Sequence, residues 1–201
     1  MQTITKVYDR HEQARQAVSE LEAAGIASSD ISLLANKHVS AQYADVDDAS
    51  IAAAAGAGIG AVVGGTAGLL AGIGLLAIPG LGPVVAAGWL ASTALGAVAG
   101  GATGGIVGAL VEAGVSEEHA HVYSEAVRRG GTLLSVKTDD SRAEKVHSIL
   151  DRYQPIDPAW QGAEYGKTGW KQFDPKAAPY KLTETEIERI RRGSYTNGPK
   201  E

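Results

Sequence analysis

The sequence predicts an α+β fold, in which a small split sheet domain, ferredoxin-like or half of one, is interrupted by a glycine-zipper helical hairpin and followed by an extended C-terminal tail. Three observations predict it. The two flanks follow the orders strand-helix-strand and helix-strand-helix, no charged side chain occurs between Asp48 and Glu112, and prolines punctuate the polar sequence from Pro155 onward. The chain then divides into the first half of the domain with a linker (1–50), the apolar hairpin (51–111), the second half of the domain (112–154) and the tail (155–201).

The first half carries the pattern of a βαβ unit. Residues 3–8 (TITKVY) are rich in β-branched and aromatic types, which favours a strand, and residues 31–35 (ISLLA) have the character of a buried strand. Between them we expect a helix with Asp9 as N-cap, Glu12 in capping-box spacing and Gly25 as the stop. Its apolar stripe falls at i, i+3, i+4 and i+7, on Ala14, Ala17, Val18 and Leu21.

The central block predicts two apolar helices joined by a turn. Each arm has about 27 residues, so as a helix it extends roughly 40 Å, against about 30 Å of bilayer hydrocarbon. The predicted turn, at 78–83, contains four residues that break helices. They are Pro79, Gly80, Gly82 and Pro83.

Small residues recur at every fourth position in both arms. In a helix such positions share one face, so each arm is predicted to carry a groove into which another backbone packs closely. An exposed glycine costs about 1 kcal/mol relative to alanine in a helix, so this pattern indicates selection for packing. The predicted packing positions are Gly56, Gly60, Gly64, Gly68 and Gly72 in the first arm and Gly88, Ser92, Gly96, Gly100, Gly104 and Gly108 in the second.

The second half of the domain begins with a helix that Ser116, Glu117 and Glu118 start. Arg128, Arg129 and Gly130 end this helix. A strand (132–137, TLLSVK) and a last helix follow. We expect the last helix to be capped by Asp140 or Ser141, with an apolar stripe on Ala143, Val146, Leu150 and Tyr153.

The tail combines prolines with isolated aromatic residues, which predicts an extended or disordered segment. Two roles for the aromatic residues stay open: they attach the tail to its own domain, or they dock it on another subunit or an unknown protein. One short helix is predicted near 183–192, where Thr183 and Glu186 have capping-box spacing.

Composition limits the classes of function. The chain has no cysteine, so it forms no disulfide or thiolate metal site, and its net charge of -5 argues against a nucleic-acid partner. The N-terminal residues lack the pattern of a secretory signal. The PGLGP turn is uncharged while all Lys and Arg residues lie outside the block, so the positive-inside rule places both termini in the cytoplasm if the hairpin inserts in a membrane.

No motif for catalysis is found. His119 and His121 are two positions apart on a predicted helix and point to different faces, which disfavours a shared metal. The G-x-G-x-x-A match at Gly56 lacks the acidic partner of a dinucleotide site, and YGKT at 165–168 lacks a correctly spaced glycine. We therefore expect no enzymatic activity and no cofactor.

Three stretches resemble the bacterial family described as general stress protein 17M-like, whose relatives are called low-temperature-induced or heat-induced stress proteins. They are VYDRHEQARQAVSELEAAGIASSDISLLA, the junction LLAIPGLGPVVAAG and the exit GALVEAGVSEEHAHVYSEAVRRGGTLLSVKT. The resemblance covers about residues 3–153 and implies a stress-associated protein with no established enzymatic activity. It provides no catalytic residues to transfer, and the tail lies outside it.

Three functions remain as hypotheses. In the first, the hairpin inserts in the bacterial inner membrane and forms homo-oligomers through its glycine faces, with the bilayer as a partner. In the second, the protein is a soluble cytoplasmic assembly that buries the hairpin between subunits. In the third, the oligomer forms a pore, although the block offers no ionisable pore-lining residue.

Overall fold

The computed structural model describes residues 1–36, 74–78, 80–90, 105–178 and 180–191, and the labels used below number the elements within these ranges. The strands are β1 (Gln2–Tyr8), β2 (Ile31–Asn36), β3 (Gly74–Ile78), β4 (Gly82–Ala87) and β5 (Thr132–Thr138). The helices are α1 (His11–Ala23), α2 (Gly105–Glu112), α3 (Glu117–Arg128), α4 (Asp140–Arg152), α5 (Pro158–Lys167) and α6 (Glu184–Arg191).

Within these ranges the strands form one sheet in the order β1-β5-β2-β4-β3, and every neighbouring pair is antiparallel. Strand β5 lies between β1 and β2, so the parts of the chain on either side of the central block share one sheet. The predicted mixed α+β class is confirmed. The ferredoxin-like arrangement is not confirmed, because β4 and β3, from within the block, extend the sheet beyond β2.

Helices cover both faces of the sheet. One face packs against α1 and α4, and the other against α2 and α3. The strands alternate accordingly: in β5, Leu133 contacts the α3 side while Leu134 and Val136 contact the α1 side. The predicted stripe of α1, on Ala14, Ala17, Val18 and Leu21, is buried in full.

The start of α1 lies one residue later than predicted. Arg10, not Asp9, is the N-cap residue, with extended backbone angles of φ -117° and ψ 136°. Its backbone N–H donates to Gln13 Oε1 at 3.2 Å, so Gln13 takes the role expected of Glu12.

The helical hairpin prediction is wrong for residues 74–78 and 82–87, whereas residues 105–111, at the end of the second predicted arm, are helical as predicted. Residues 74–78, at the end of the first predicted arm, and residues 82–87, at the start of the second, are strands. Backbone pairing of β4 with β2 outweighs the helical period of the glycines, which is a local preference that tertiary contacts override.

The extended-tail prediction is wrong at its first segment, where helix α5 begins immediately after Asp157. The backbone N–H of Trp160 donates to Asp157 Oδ1 at 2.7 Å, and Pro158 occupies the first helical turn. The predicted helix near 183–192 is present as α6. Both halves of its capping box are formed: Thr183 N donates to Glu186 Oε2 at 2.8 Å, and Glu186 N donates to Thr183 Oγ1 at 3.3 Å.

Candidate assembly site

The β3–β4 hairpin carries the attachment points of the glycine-spaced segments. Gly74, the first residue of β3, pairs with Ala86 near the end of β4, so the two backbones are about 5 Å apart there. The start of β3 and the end of β4 therefore lie at the same end of the hairpin. Ala86 also pairs with Leu34 of β2, so these three residues lie side by side on neighbouring strands.

Residues 88–90 are fixed against the sheet where the second segment starts. Gly88 has φ +86°, and a β-carbon on it would lie 2.3 Å from the carbonyl oxygen of Ile31. The backbone N–H of Leu90 donates to Ser32 Oγ at 3.1 Å. Lys137 Nζ lies 4.0 Å from the ring centroid of Trp89. The second segment therefore departs from a well-anchored point on the α3 side of the sheet.

The chain returns at α2, on the same side. Ile106 and Leu110 are buried in the apolar cluster that also contains Leu90. Gly108, between them in sequence, meets no described atom within 4 Å of an added β-carbon. Leu90 and Ile106, which flank residues 91–104, consequently belong to one core.

The predicted site residues divide between described and undescribed parts of the chain. Gly88 allows a close approach to β2 rather than forming a helix face, and Gly108 lies in α2 without a close contact to any described residue. Gly80 lies in the hairpin turn, and Gly82 and Pro83 belong to β4. Outside the described residues lie Gly56, Gly60, Gly64, Gly68, Gly72, Pro79, Ser92, Gly96, Gly100 and Gly104.

The hairpin turn contacts the tail. Gly80 has φ +80°, and a β-carbon on it would lie 2.8 Å from both Phe173 Cζ and the Asp174 carbonyl oxygen. Phe173 is 4 % exposed and belongs to the cluster that contains Ile78 and Leu81. Phe173 thus attaches the tail to its own domain, which is the first of the two roles left open for the tail aromatics.

A buried charge cluster at the end of α3 was missed by the sequence reasoning. Glu125 is 1 % exposed and accepts from Arg128 through both carboxylate oxygens, at 2.7 and 2.8 Å, and from Arg129 Nε at 2.7 Å. The Arg129 guanidinium lies 4.3 Å from the ring centroid of Tyr165 and 5.0 Å from that of Tyr180. The available signal was the acid placed three and four residues before two arginines, a spacing typical of exposed helix pairs.

Hydrogen bonding and burial raise the pKa values of Arg128, Tyr165 and Tyr180 in this cluster. The hydrogen bond to Glu125 is the largest influence on Arg128 and raises the pKa of its guanidinium. Burial and the hydrogen bond to Glu186 raise the pKa of Tyr180 to about 12, and burial also raises the pKa of Tyr165. Both tyrosines therefore remain protonated at neutral pH, with their rings available to the arginines.

Asn36 connects the hairpin turn to this cluster. Its buried side-chain Nδ2 donates to the carbonyl oxygen of Leu81 at 2.9 Å and to that of Arg128 at 3.2 Å. Asn36 is also the last residue of β2, after which the chain enters the linker. One amide group thus joins β2, the β3–β4 turn and the end of α3.

The part of the chain that the structure describes offers few other candidate sites. No three His, Asp or Glu side chains in these ranges are arranged to hold a metal ion. None of the helices in the described ranges combines the length and the apolar character that crossing a bilayer requires. Comparison with protein-family models, with curated proteins and with solved structures finds no match to this chain.

Proposed function

We propose that this protein is a non-enzymatic, stress-associated assembly protein whose copies associate through the glycine-spaced segments on either side of the β3–β4 hairpin. The observation that carries the proposal is the pairing of Gly74 with Ala86. It places the start of β3 beside the end of β4, so the two points of the sheet that precede and follow these segments in the chain are adjacent. A second copy is the partner, because a glycine face fits another close-packed backbone. The stress association rests on the family resemblance alone.

The attachment points favour assembly over two membrane-spanning helices. A segment with both ends in one domain must cross a bilayer an even number of times, and two crossings need about 40 apolar residues. Residues 91–104, between Leu90 and α2, are too few. Residues 37–73 include Asp45, Asp47 and Asp48, and the charge-free part that remains suffices for one crossing. Pore formation meets the same difficulty, because it also requires spanning segments.

Substitution within the glycine pattern tests the proposal directly. Leucine at Gly64 or Gly100 fills the groove on the predicted contact face, whereas Leu69→Ile changes shape without filling a groove. We expect the wild type and Leu69→Ile to form large, homogeneous particles in detergent-free buffer, and both glycine variants to form smaller ones. Analytical ultracentrifugation measures this, and identical size distributions for all four proteins would contradict the proposal.

Membrane insertion is the second candidate, because the block is charge-free and long. Flotation with liposomes followed by a carbonate wash separates the two. Retention of the wild type in the membrane fraction, together with a monomeric state in buffer, would support insertion and count against assembly. Leakage from dye-loaded liposomes tests the pore.

A further inference from the structure

The C-terminal segment formed by residues 173–178 and Tyr180, here called the clamp segment, contacts the β3–β4 turn from outside the sheet. Phe173 fills the core beside Ile78 and Leu81. The main chain of Asp174 and Pro175 approaches so closely that a β-carbon on Gly80 would lie 2.8 Å from the carbonyl oxygen of Asp174 and 2.8 Å from Cα of Pro175. The turn and the clamp segment fit each other only because residue 80 is glycine.

The far end of the clamp segment is held by α3. Arg128 Nη1 donates to the Ala178 carbonyl oxygen at 3.3 Å, and the Arg128 guanidinium lies 5.1 Å from the Tyr180 ring centroid. Arg129 approaches the same ring at 5.0 Å. Glu125 fixes both arginines in these positions.

The β3–β4 hairpin gains support from the clamp segment in addition to its pairing in the sheet. In the described part of the chain β3 pairs with β4, and β4 reaches the rest of the sheet through four pairs with β2, from Leu33 to Asn36. The two strands consist of Gly, Ala, Leu, Ile, Val and Pro, and alanine and glycine are weak strand formers. The contacts of the turn with the clamp segment therefore add to the pairing with β2 and to the burial of Ile78, Val84 and Ala86 in the apolar cluster.

We propose that the clamp segment keeps the β3–β4 hairpin in the sheet, and that its release lets the hairpin separate from β2. Because the paired hairpin brings Gly74 beside Ala86, the clamp thereby controls whether the attachment points that the proposed assembly requires stay together. The control of assembly rests on the proposed function, whereas the clamping of the hairpin does not.

Hydrogen exchange of the full chain, followed by mass spectrometry, tests the clamp. Phe173→Ala and Tyr180→Ala each remove one anchor, and exposed Gln172→Ala and Lys181→Ala are the matched neighbours. In both anchor variants we expect the amides of residues 74–87 to exchange at least tenfold faster, while those of β1 and β5 keep their wild-type rates. If Phe173→Ala does not fold, Tyr180→Ala decides the matter, because it leaves Phe173 in the core and removes the ring contacts with Arg128 and Arg129.

Two results would overturn the clamp: unchanged exchange in residues 74–87, or equal acceleration in every strand, which would make the segment an ordinary part of one cooperative core. Particle size measured on the same samples separates this inference from the proposed function. If the hairpin amides exchange faster while the particle size stays the same, the result supports the clamp and contradicts a role of the hairpin in assembly. If hairpin exchange is unchanged in the anchor variants but Gly64→Leu still disrupts the particles, the result contradicts the clamp and supports the proposed assembly.

Discussion

Arg129 Nε donates a hydrogen bond of 2.7 Å to Oε1 of Glu125, a carboxylate that is 1 % exposed and that also binds Arg128. Removing the acid from such a site leaves two guanidinium groups without their counter-ion. We expect Glu125→Ala to lower the free energy of unfolding by about 2–4 kcal/mol, somewhat less than for a fully buried pair because both arginines retain some exposure. Urea denaturation measures this loss.

The exposed Glu118 on the same helix is the matched control, since it makes no ion pair with a described residue. Glu118→Ala removes one acidic group from the first turn of α3 and should lower the unfolding free energy by less than about 1 kcal/mol. Glu125→Gln keeps one acceptor oxygen, so its unfolding free energy should lie between those of the two alanine variants. Equal stability of the two alanine variants would mean that the cluster at the end of α3 contributes little.

The stability of the protein should depend on pH through Asp9 and His11 with opposite signs. Burial raises the pKa of Asp9 from 3.8 to about 6, so the stability from its neutral form is complete below about pH 4 and is lost as pH rises through 6. Burial, with Arg15 adding to it, lowers the pKa of His11 from 6.5 to about 4, so its contribution is complete above pH 6.5 and is lost as pH falls toward 4.

Single substitutions should separate these two contributions. Between pH 4 and 6.5, Asp9→Asn should become more stable as pH rises, and His11→Gln should become less stable, each by about 2–3 kcal/mol across the window. The wild type, in which the two contributions oppose each other, should vary less than either variant. Thermal unfolding at several pH values measures the slopes, and slopes of the same sign in both variants would refute the assignment.

Local sequence signals were sufficient to predict helices α1, α3 and α6. The stripe of α1 predicted the residues it buries, and Ser116 is the N-cap of α3 as expected, accepting from the backbone N–H of His119 at 3.4 Å. The capping-box spacing of Thr183 and Glu186 predicted the start of α6. Each of these signals lies within one or two helical turns, so no distant contact is needed to interpret it.

The hairpin and the charge cluster depend on distant contacts. LLAI and VVAA are short apolar runs whose period fits a strand or a buried helix equally. VVAA pairs with β2, from Leu33 with Ala87 to Asn36 with Val84, and LLAI lies in β3, which pairs with β4. Glu125, Arg128 and Arg129 have the spacing of an exposed helix pair, and Tyr165 and Tyr180, far along the tail, are what cover them. A sequence pattern without the tertiary partner cannot distinguish these cases.

The hydroxyl pair of Thr5 and Ser135 offers a clean test of buried polar pairing in the sheet. The two residues are directly opposite each other in β1 and β5, with their oxygen atoms 2.8 Å apart and buried. Ser135→Ala leaves the Thr5 hydroxyl without this partner, so we expect a loss of about 1–3 kcal/mol. Adding Thr5→Val should recover part of that loss. A double-mutant cycle measures the coupling, and strictly additive effects would mean that the hydroxyls do not interact.

Two glycines that the sequence assigned the same role should respond to alanine in opposite directions. Gly88 has φ +86° and lies so close to β2 that a β-carbon would be 2.3 Å from the Ile31 carbonyl oxygen, a backbone atom that cannot move aside easily. Gly108 is in helix α2 with no described atom within 4 Å of an added β-carbon, and alanine is the better helix former. We expect Gly88→Ala to destabilise the protein by at least about 2 kcal/mol and Gly108→Ala to stabilise it by up to about 1 kcal/mol. Urea unfolding of both variants measures the difference. Destabilisation by Gly108→Ala would show that this position makes a close contact beyond the described residues, as a glycine face shared with another helix requires.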